Sequence, residues 1–170
     1  MSRNVELKAR VLDAAATLER ARAAGAVEVV VLEQRDTYFA VPGGRLKLRE
    51  ETGRPAALVA YSRADIAGPR ASEYELAPVA DPARLSGALA LALGVCAVVE
   101  KTRRLLLWEE TVRLHLDEVR GLGSFVEIEA AAPPESDLAR EHDQVRRLAA
   151  ALALDREWVV AASYADLIAG

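Results

Sequence analysis

The sequence predicts an α+β domain: an eight-stranded antiparallel β-barrel with flanking helices. Three observations predict it. First, Arg45–Arg49 and Phe125–Glu129 alternate charged and apolar residues at a spacing of two, which is strand periodicity. Second, turn signals such as Val41-Pro42-Gly43-Gly44 and Gly121-Leu122-Gly123 separate successive strand-like runs, so neighbouring strands pair as hairpins. Third, the charged alternation recurs in Glu6/Lys8/Arg10, Lys101/Arg103 and Arg113/His115/Asp117. Rows of like charge on one sheet face repel across strands. A barrel resolves this when the charged face lines a lumen that binds something and the apolar face packs outward against helices.

The elements follow in order along the chain. Val5–Leu12 alternates and reads as a strand. Asp13 caps an Ala-rich helix that runs to about Ala24 and is closed by Gly25. Val27–Gln34 is β-branched and reads as a strand, and Asp36–Phe39 leads from it into the Gly43-Gly44 turn. Arg45–Glu50 pairs back, Gly53-Arg54-Pro55 turns, and Ala57–Arg63 follows as the next strand. A loop at Asp65–Pro69 precedes a strand at Ser72–Val79. Asp81 at the cap and Pro82 at the first helical position open a helix that ends at Gly94. Cys96–Trp108 and Thr111–Val119 form a long hairpin around Glu109-Glu110, and Phe125–Ala131 is the last strand. Pro133–Ser136 opens a charged amphipathic helix to about Leu152, and short helices occupy Trp158–Ile168. The absence of repeats and linkers makes residues 1–170 a single domain.

Composition narrows the class of function. The chain has 170 residues, 52% hydrophobic but only 5% aromatic, so Leu, Val and Ala build the core. A net charge of −4 argues against bulk nucleic-acid binding. The apolar run near Leu85–Val99 is interrupted by Ser, Gly and Cys and is too weak for a membrane span. The Met-Ser-Arg-Asn start lacks a signal-peptide core. With a single cysteine there is no internal disulfide, which suits a cytoplasmic protein. Cys96, in an apolar stretch without a neighbouring His, is expected as a packed core thiol. A homodimer is compatible with the chain.

The charged rows carry the chemistry. Glu6, Asp117, Glu127 and Glu129 are strand carboxylates, suited to the hard cations Mg²⁺ or Mn²⁺. No Cys/His cluster offers a zinc site. Arg45, Lys47, Arg49, Arg63, Arg70, Lys101, Arg103 and Arg113 supply donors that match phosphate oxygens. So many cations fit a triphosphate better than a monophosphate. No glycine-rich P-loop is present, so phosphate would be held by strand side chains. The plainer alternatives are that each row is a solvated sheet face, or that Arg and Glu pair as a surface ladder. His115 reads as a packed or hydrogen-bonded histidine, or as a proton shuttle. Tyr61, Tyr74 and Trp108 read as packing residues, and Asp137–Arg147 as a solvated helix face.

An ordered set of motifs resembles one family. Asn4-Val5-Glu6-Leu7-Lys8-Ala9-Arg10 resembles the E-x-E-x-K signature of the CYTH superfamily, the triphosphate tunnel enzymes. Asp36–Phe39, Gly44–Glu50, Tyr61–Arg63, Gly68–Tyr74, Lys101–Arg103, Arg113–Val119, Gly121–Glu129 and Ser163–Leu167 continue the likeness almost end to end. It is most similar to the class IV adenylate cyclase-like and thiamine triphosphatase-like members. The resemblance implies an eight-stranded tunnel around a triphosphate. It implies metal binding by Glu6, Asp117, Glu127 and Glu129, and phosphate contacts from Lys8, Arg45, Lys47, Arg63, Arg70, Lys101, Arg103 and Arg113. Arg49 joins them by its parity with Arg45 and Lys47.

The implied activity is Mg²⁺- or Mn²⁺-dependent chemistry on a nucleoside, thiamine or inorganic triphosphate. The reaction is either cyclisation of ATP to cyclic AMP and pyrophosphate, or hydrolysis, and Lys8 is the candidate for assisting the nucleophile. One departure stands out. Asn4 replaces the first glutamate of the signature and removes a negative charge from the metal site. That residue favours the alternative of a non-catalytic polyphosphate- or nucleotide-binding module. Arg70 stands where many relatives carry lysine.

Overall fold

A computed structural model describes residues 2–170. The strands are β1 Ser2–Arg10, β2 Val27–Phe39, β3 Arg45–Glu51, β4 Ala56–Arg63, β5 Arg70–Val79, β6 Val95–Trp108, β7 Val112–Val119 and β8 Gly123–Ala132. They close into a barrel in the order β1-β5-β4-β3-β2-β6-β7-β8, and each neighbouring pair is antiparallel. Closure leaves no unpaired sheet edge. The helices are α1 Ala14–Ala23, α2 Pro82–Leu93, α3 Ala139–Ala151 and α4 Tyr164–Ala169.

Local chemistry sets the element ends. The Asp13 carboxylate accepts the Ala16 N–H at 2.9 Å and starts α1, and Asp81 accepts the Arg84 N–H at 3.0 Å to start α2. Gly44 turns β2 into β3 at φ +65°, where a Cβ would lie 2.9 Å from the Tyr61 carbonyl oxygen. Several boundaries differ from expectation; β1 runs from Ser2 to Arg10 rather than from Val5 to Leu12, and β5 starts at Arg70 rather than Ser72. Asp36–Phe39 is not a lead-in but the end of one 13-residue strand, β2. The amphipathic helix α3 begins at Ala139, because Ser136 and Asp137 accept the N–H groups of Leu138 and Ala139 in a preceding turn.

The strand pleat sorts side chains into two systems. Lumen-facing positions are even on β1, β2 and β5, and odd on β3, β4, β6, β7 and β8. The main apolar core therefore lies outside the barrel. Val5, Leu7, Leu106, Leu114, Val126 and Ile128 pack there against Ala21 of α1 and Val145 and Leu148 of α3. Each of these valine, leucine and isoleucine side chains contributes about 1.5–3 kcal/mol on burial. A second cluster, with Phe125, Val99, Tyr38 and Tyr164, closes one barrel end under α4.

Helices cover only part of the outer wall. Val27, Val29 and Val31 of β2 and Leu91 of α2 remain exposed. Cys96 is exposed as well, correcting the expectation of a packed thiol. Its parity places it with Val98 on the uncovered outer face of β6. Among the described residues, no helix is long and apolar enough to cross a membrane.

Candidate functional site

Barrel register brings the charged rows side by side. Across β1 and β8, Glu6 faces Glu129 and Lys8 faces Glu127. Across β8 and β7, Glu129 faces Arg113 and Glu127 faces His115. Arg103 of β6 faces Asp117 of β7, and Asp36 of β2 faces Arg49 of β3. These side chains enclose a cavity of about 340 Å³ inside the barrel. Eight lining cations (Lys8, Lys47, Arg49, Arg54, Arg63, Lys101, Arg103 and Arg113) face four lining carboxylates (Glu6, Glu51, Glu127 and Glu129). A protein of net charge −4 thus concentrates positive charge in one enclosed space.

Two buried acids organise the cations. Asp36 is fully buried and accepts from Lys47 at 2.7 Å, Arg49 Nε at 3.0 Å and Gln34 at 3.0 Å. Burial alone would raise its pKa, but Arg49, Lys47 and Lys101 hold it well below the usual carboxylate range. Asp117 accepts both arms of Arg103, at 2.7 and 2.6 Å, and the Tyr164 hydroxyl at 2.9 Å. Against the opposing effect of burial, Arg103 and Lys101 bring Asp117 down to about 2. The cations answer to their surroundings too. Burial, with Arg49 beside it, brings Lys47 down to about 7, and burial with Arg103 lowers Lys101.

The acids on β1 and β8 form a separate group. Glu127 takes Lys8 at 3.1 Å and Arg103 at 2.5 Å. Glu129 takes Arg113 at 3.0 Å through Oε2. Burial and the two β8 glutamates raise the pKa of Glu6, although Arg63 and Arg70 lie close to it. Donor atoms of His115, Glu127 and Glu129 all lie within 4.8 Å of one another, close enough for one ion. Burial, reinforced by Arg103, pushes His115 down to about 3, leaving a neutral imidazole. Five buried polar atoms lack a hydrogen-bond partner among the described residues, and all belong to lumen-facing side chains: Asn4, Gln34, Arg70, Arg113 and His115. Unpaired buried polar atoms are rare in proteins. These donors and carboxylates fit a divalent cation beside a polyanion.

The structure separates the expected site residues into three sets. Lys8, Lys47, Arg49, Arg63, Lys101, Arg103, Arg113, Glu6, Glu127 and Glu129 all line the cavity. Asp117 lies behind it, engaged by Arg103, Lys101 and Tyr164 and outside the group that can share one ion. Arg45 and Arg70 do not line it. Arg45 pairs with Asp65 at 2.8 Å and with Asp166 of α4 at 3.0 Å. Arg70 donates to the Ile66 and Val160 carbonyls at 2.7 and 3.2 Å. Arg63, which does line the cavity, also holds the Ala161 carbonyl at 2.9 Å. Three strand cations therefore fasten the C-terminal segment across one barrel end.

Other cavity residues were not expected from the sequence. Tyr61 and Tyr74, read there as packing residues, line the cavity with Tyr38, Tyr164 and Arg54. The Lys8 ammonium sits 3.7 Å from the centroid of the Tyr164 ring. Asp36 shares parity with Gln34 and Tyr38 on β2, and that alternation was the available signal. Nothing in the sequence marks Arg54, which enters from a turn.

Comparison with known proteins agrees with this fold. The model of the CYTH domain family matches residues 2–164. No curated protein matches the sequence. A protein from Pyrococcus horikoshii OT3 has a similar structure at 23% identity, with 98% of this chain and 99% of that chain covered and a TM-score of 0.83. A candidate adenylate cyclase from Vibrio parahaemolyticus is similar at 22% identity, 98% coverage of both chains and a TM-score of 0.79. A candidate adenylyl cyclase from Hippeastrum, described as having a dominant triphosphatase activity, is 14% identical over 99% of this chain and 94% of that one, with a TM-score of 0.63.

Proposed function

The chain belongs to the CYTH domain family, and from that membership and the chemistry of its lumen we propose that it is a divalent-metal-dependent enzyme that cleaves a phosphoanhydride bond of a triphosphate held inside the barrel. The observation that carries this reading is the excess of cations over carboxylates in one enclosed cavity. A polyanion is the ligand that relieves it.

In this reading Lys47, Arg49, Lys101 and Arg103 hold the phosphate oxygens. Asp36 and Asp117 fix those cations in place before substrate arrives, so little reorganisation is needed. Glu127 and Glu129, with Glu6 beside them, would hold Mg²⁺ or Mn²⁺, which neutralises phosphate charge and orients the transferring group. Lys8 contacts Glu127, and in this reading it orients the attacking oxygen. Leu32, Leu76 and Leu105 are among the lining residues, and in this reading the organic end of a substrate packs against such apolar side chains. The attacking oxygen is either water on the terminal phosphorus or the ribose 3′-hydroxyl on the α-phosphorus. The names of the Vibrio and Hippeastrum proteins point to the same two outcomes.

Incubation with ATP, tripolyphosphate and thiamine triphosphate, each with Mg²⁺ or Mn²⁺, tests the proposal. Orthophosphate release shows hydrolysis, and cyclic AMP with pyrophosphate shows cyclisation. Glu127→Gln/Glu129→Gln is expected to abolish metal-dependent turnover. Asn4 favours a second reading, a polyphosphate-binding module, which tight binding without turnover would support. A protein that neither binds nor turns over any of the three compounds refutes both.

A further inference from the structure

His115 is the one imidazole in the lumen, and the proposed reaction gives it no task. It is 6% exposed and stands on β7 directly opposite Glu127 of β8. Its Nδ1 is buried and has no hydrogen-bond partner among the described residues. That nitrogen lies 3.8 Å from Glu129 Oε1 and 3.9 Å from Glu127 Oε2. Both distances are too long for a hydrogen bond. Two donors that each bind one ion at about 2.0–2.2 Å can lie up to about 4.3 Å apart. Separations of 3.8 and 3.9 Å fall within that reach, so Nδ1 and the two carboxylate oxygens can share one cation. Glu129 is the stronger half of the pair, because its Oε2 is held by Arg113 while Oε1 is turned toward the imidazole, whereas Glu127 Oε2 also accepts from Arg103 at 2.5 Å.

Resting on the metal-dependent reading above, we propose that His115 Nδ1 is a direct metal ligand beside Glu127 and Glu129. The chain then carries a mixed imidazole–carboxylate centre rather than an all-oxygen one. Magnesium binds oxygen and dehydrates reluctantly, whereas an imidazole nitrogen suits later divalent transition metals. The centre accordingly favours Mn²⁺ and Co²⁺ over Mg²⁺. Asn4 fits this assignment. It lies on the lumen face of β1, where it offers a neutral amide oxygen, itself buried and unpartnered, in place of a carboxylate. A centre with an imidazole nitrogen among its ligands is less suited to magnesium.

The test uses the full chain and metal ions alone, with no turnover required. Calorimetric titration of wild type and His115→Asn with Co²⁺, Mn²⁺ and Mg²⁺ should show Co²⁺ affinity falling at least tenfold in the variant and Mg²⁺ affinity changing less than threefold. Electron spin-echo modulation of bound Mn²⁺ should show a nitrogen nucleus in the wild type, a measurement that needs no variant to fold. Manganese bound without nitrogen modulation, or equal Co²⁺ affinity in both proteins, overturns the imidazole assignment and leaves the triphosphate reading standing. Failure of the wild type to bind any of the three ions overturns both the assignment and the metal dependence. Tripolyphosphate binding, measured separately, decides whether the polyanion site survives.

Discussion

Replacing Asp36 with asparagine tests the organisation of the lumen most directly. Asp36 is fully buried, with Lys47 at 2.7 Å, Arg49 at 3.0 Å and Lys101 at 3.9 Å. Removing one partner of a buried ion pair costs about 3–5 kcal/mol, because the remaining charge stays desolvated and unpaired. Asparagine keeps one oxygen for Arg49 or Gln34 but turns an N–H₂ toward the ammonium groups. Lys47 limits the cost by releasing its proton, since its pKa is already about 7 with Asp36 present. We expect a loss of about 3 kcal/mol at neutral pH, a large share of the 5–15 kcal/mol typical of a domain. The sign with pH follows from the same lysine. Its folded pKa drops further in the variant, so the penalty shrinks as pH rises through 7; it also shrinks below pH 3.8, where the wild type progressively loses what ionised Asp36 contributes, and is largest in between. Urea denaturation at several pH values measures this. Tripolyphosphate should raise the melting temperature of the variant more than that of the wild type, because it supplies the missing negative charge. A variant within 1 kcal/mol of wild type, with an unchanged ligand response, would refute the role of Asp36 as counter-ion to the cluster.

Three further outcomes follow from the same geometry. Lys47 is pushed down to about 7 by burial and Arg49, and a bound polyanion favours its charged form, so binding takes up a proton above pH 7. Affinity for tripolyphosphate should be full below pH 7 and fall by up to about tenfold per unit above it, and Lys47→Arg should lack this limb when the two profiles are subtracted. Tyr164→Phe removes the 2.9 Å hydrogen bond to the Asp117 carboxylate and should cost about 1.5 kcal/mol in urea denaturation, with the ring contact to Lys8 retained. Ile128→Ala, at a fully buried position outside the barrel, should cost about 2–5 kcal/mol in stability. Its tripolyphosphate affinity, measured by calorimetry on folded protein, should stay within twofold of wild type.

Much of this arrangement was legible because strand parity is written residue by residue. Glu127 and Glu129 had to share a face once β8 was a strand, and hairpin turns made antiparallel closure a short step. The shape of the lumen was less legible. Which rows meet depends on register, and register places Glu6 beside Glu129 but leaves Asp117 among Arg103, Lys101 and Tyr164. Arg45 and Arg70 share parity with the cavity residues yet grip the C-terminal segment, because they sit where that segment crosses the barrel end. Position along a strand, not residue type, made that difference. Cys96 failed for a related reason: local hydropathy does not say which part of a barrel wall a helix covers.

The pleat of β8 also ties stability to chemistry within a single reading frame. Val126, Ile128 and Ala130 hold the barrel to its helices, while Glu127 and Glu129, one position away, serve the lumen. Inserting one residue before Val126 would exchange the two sets wholesale, driving carboxylates into the greasy layer and isoleucine into the charged channel. Point substitutions in β8 are graded in their effect, whereas length changes there are all-or-none. Insertions and deletions in β8 are consequently expected to be far more damaging than those in the turns.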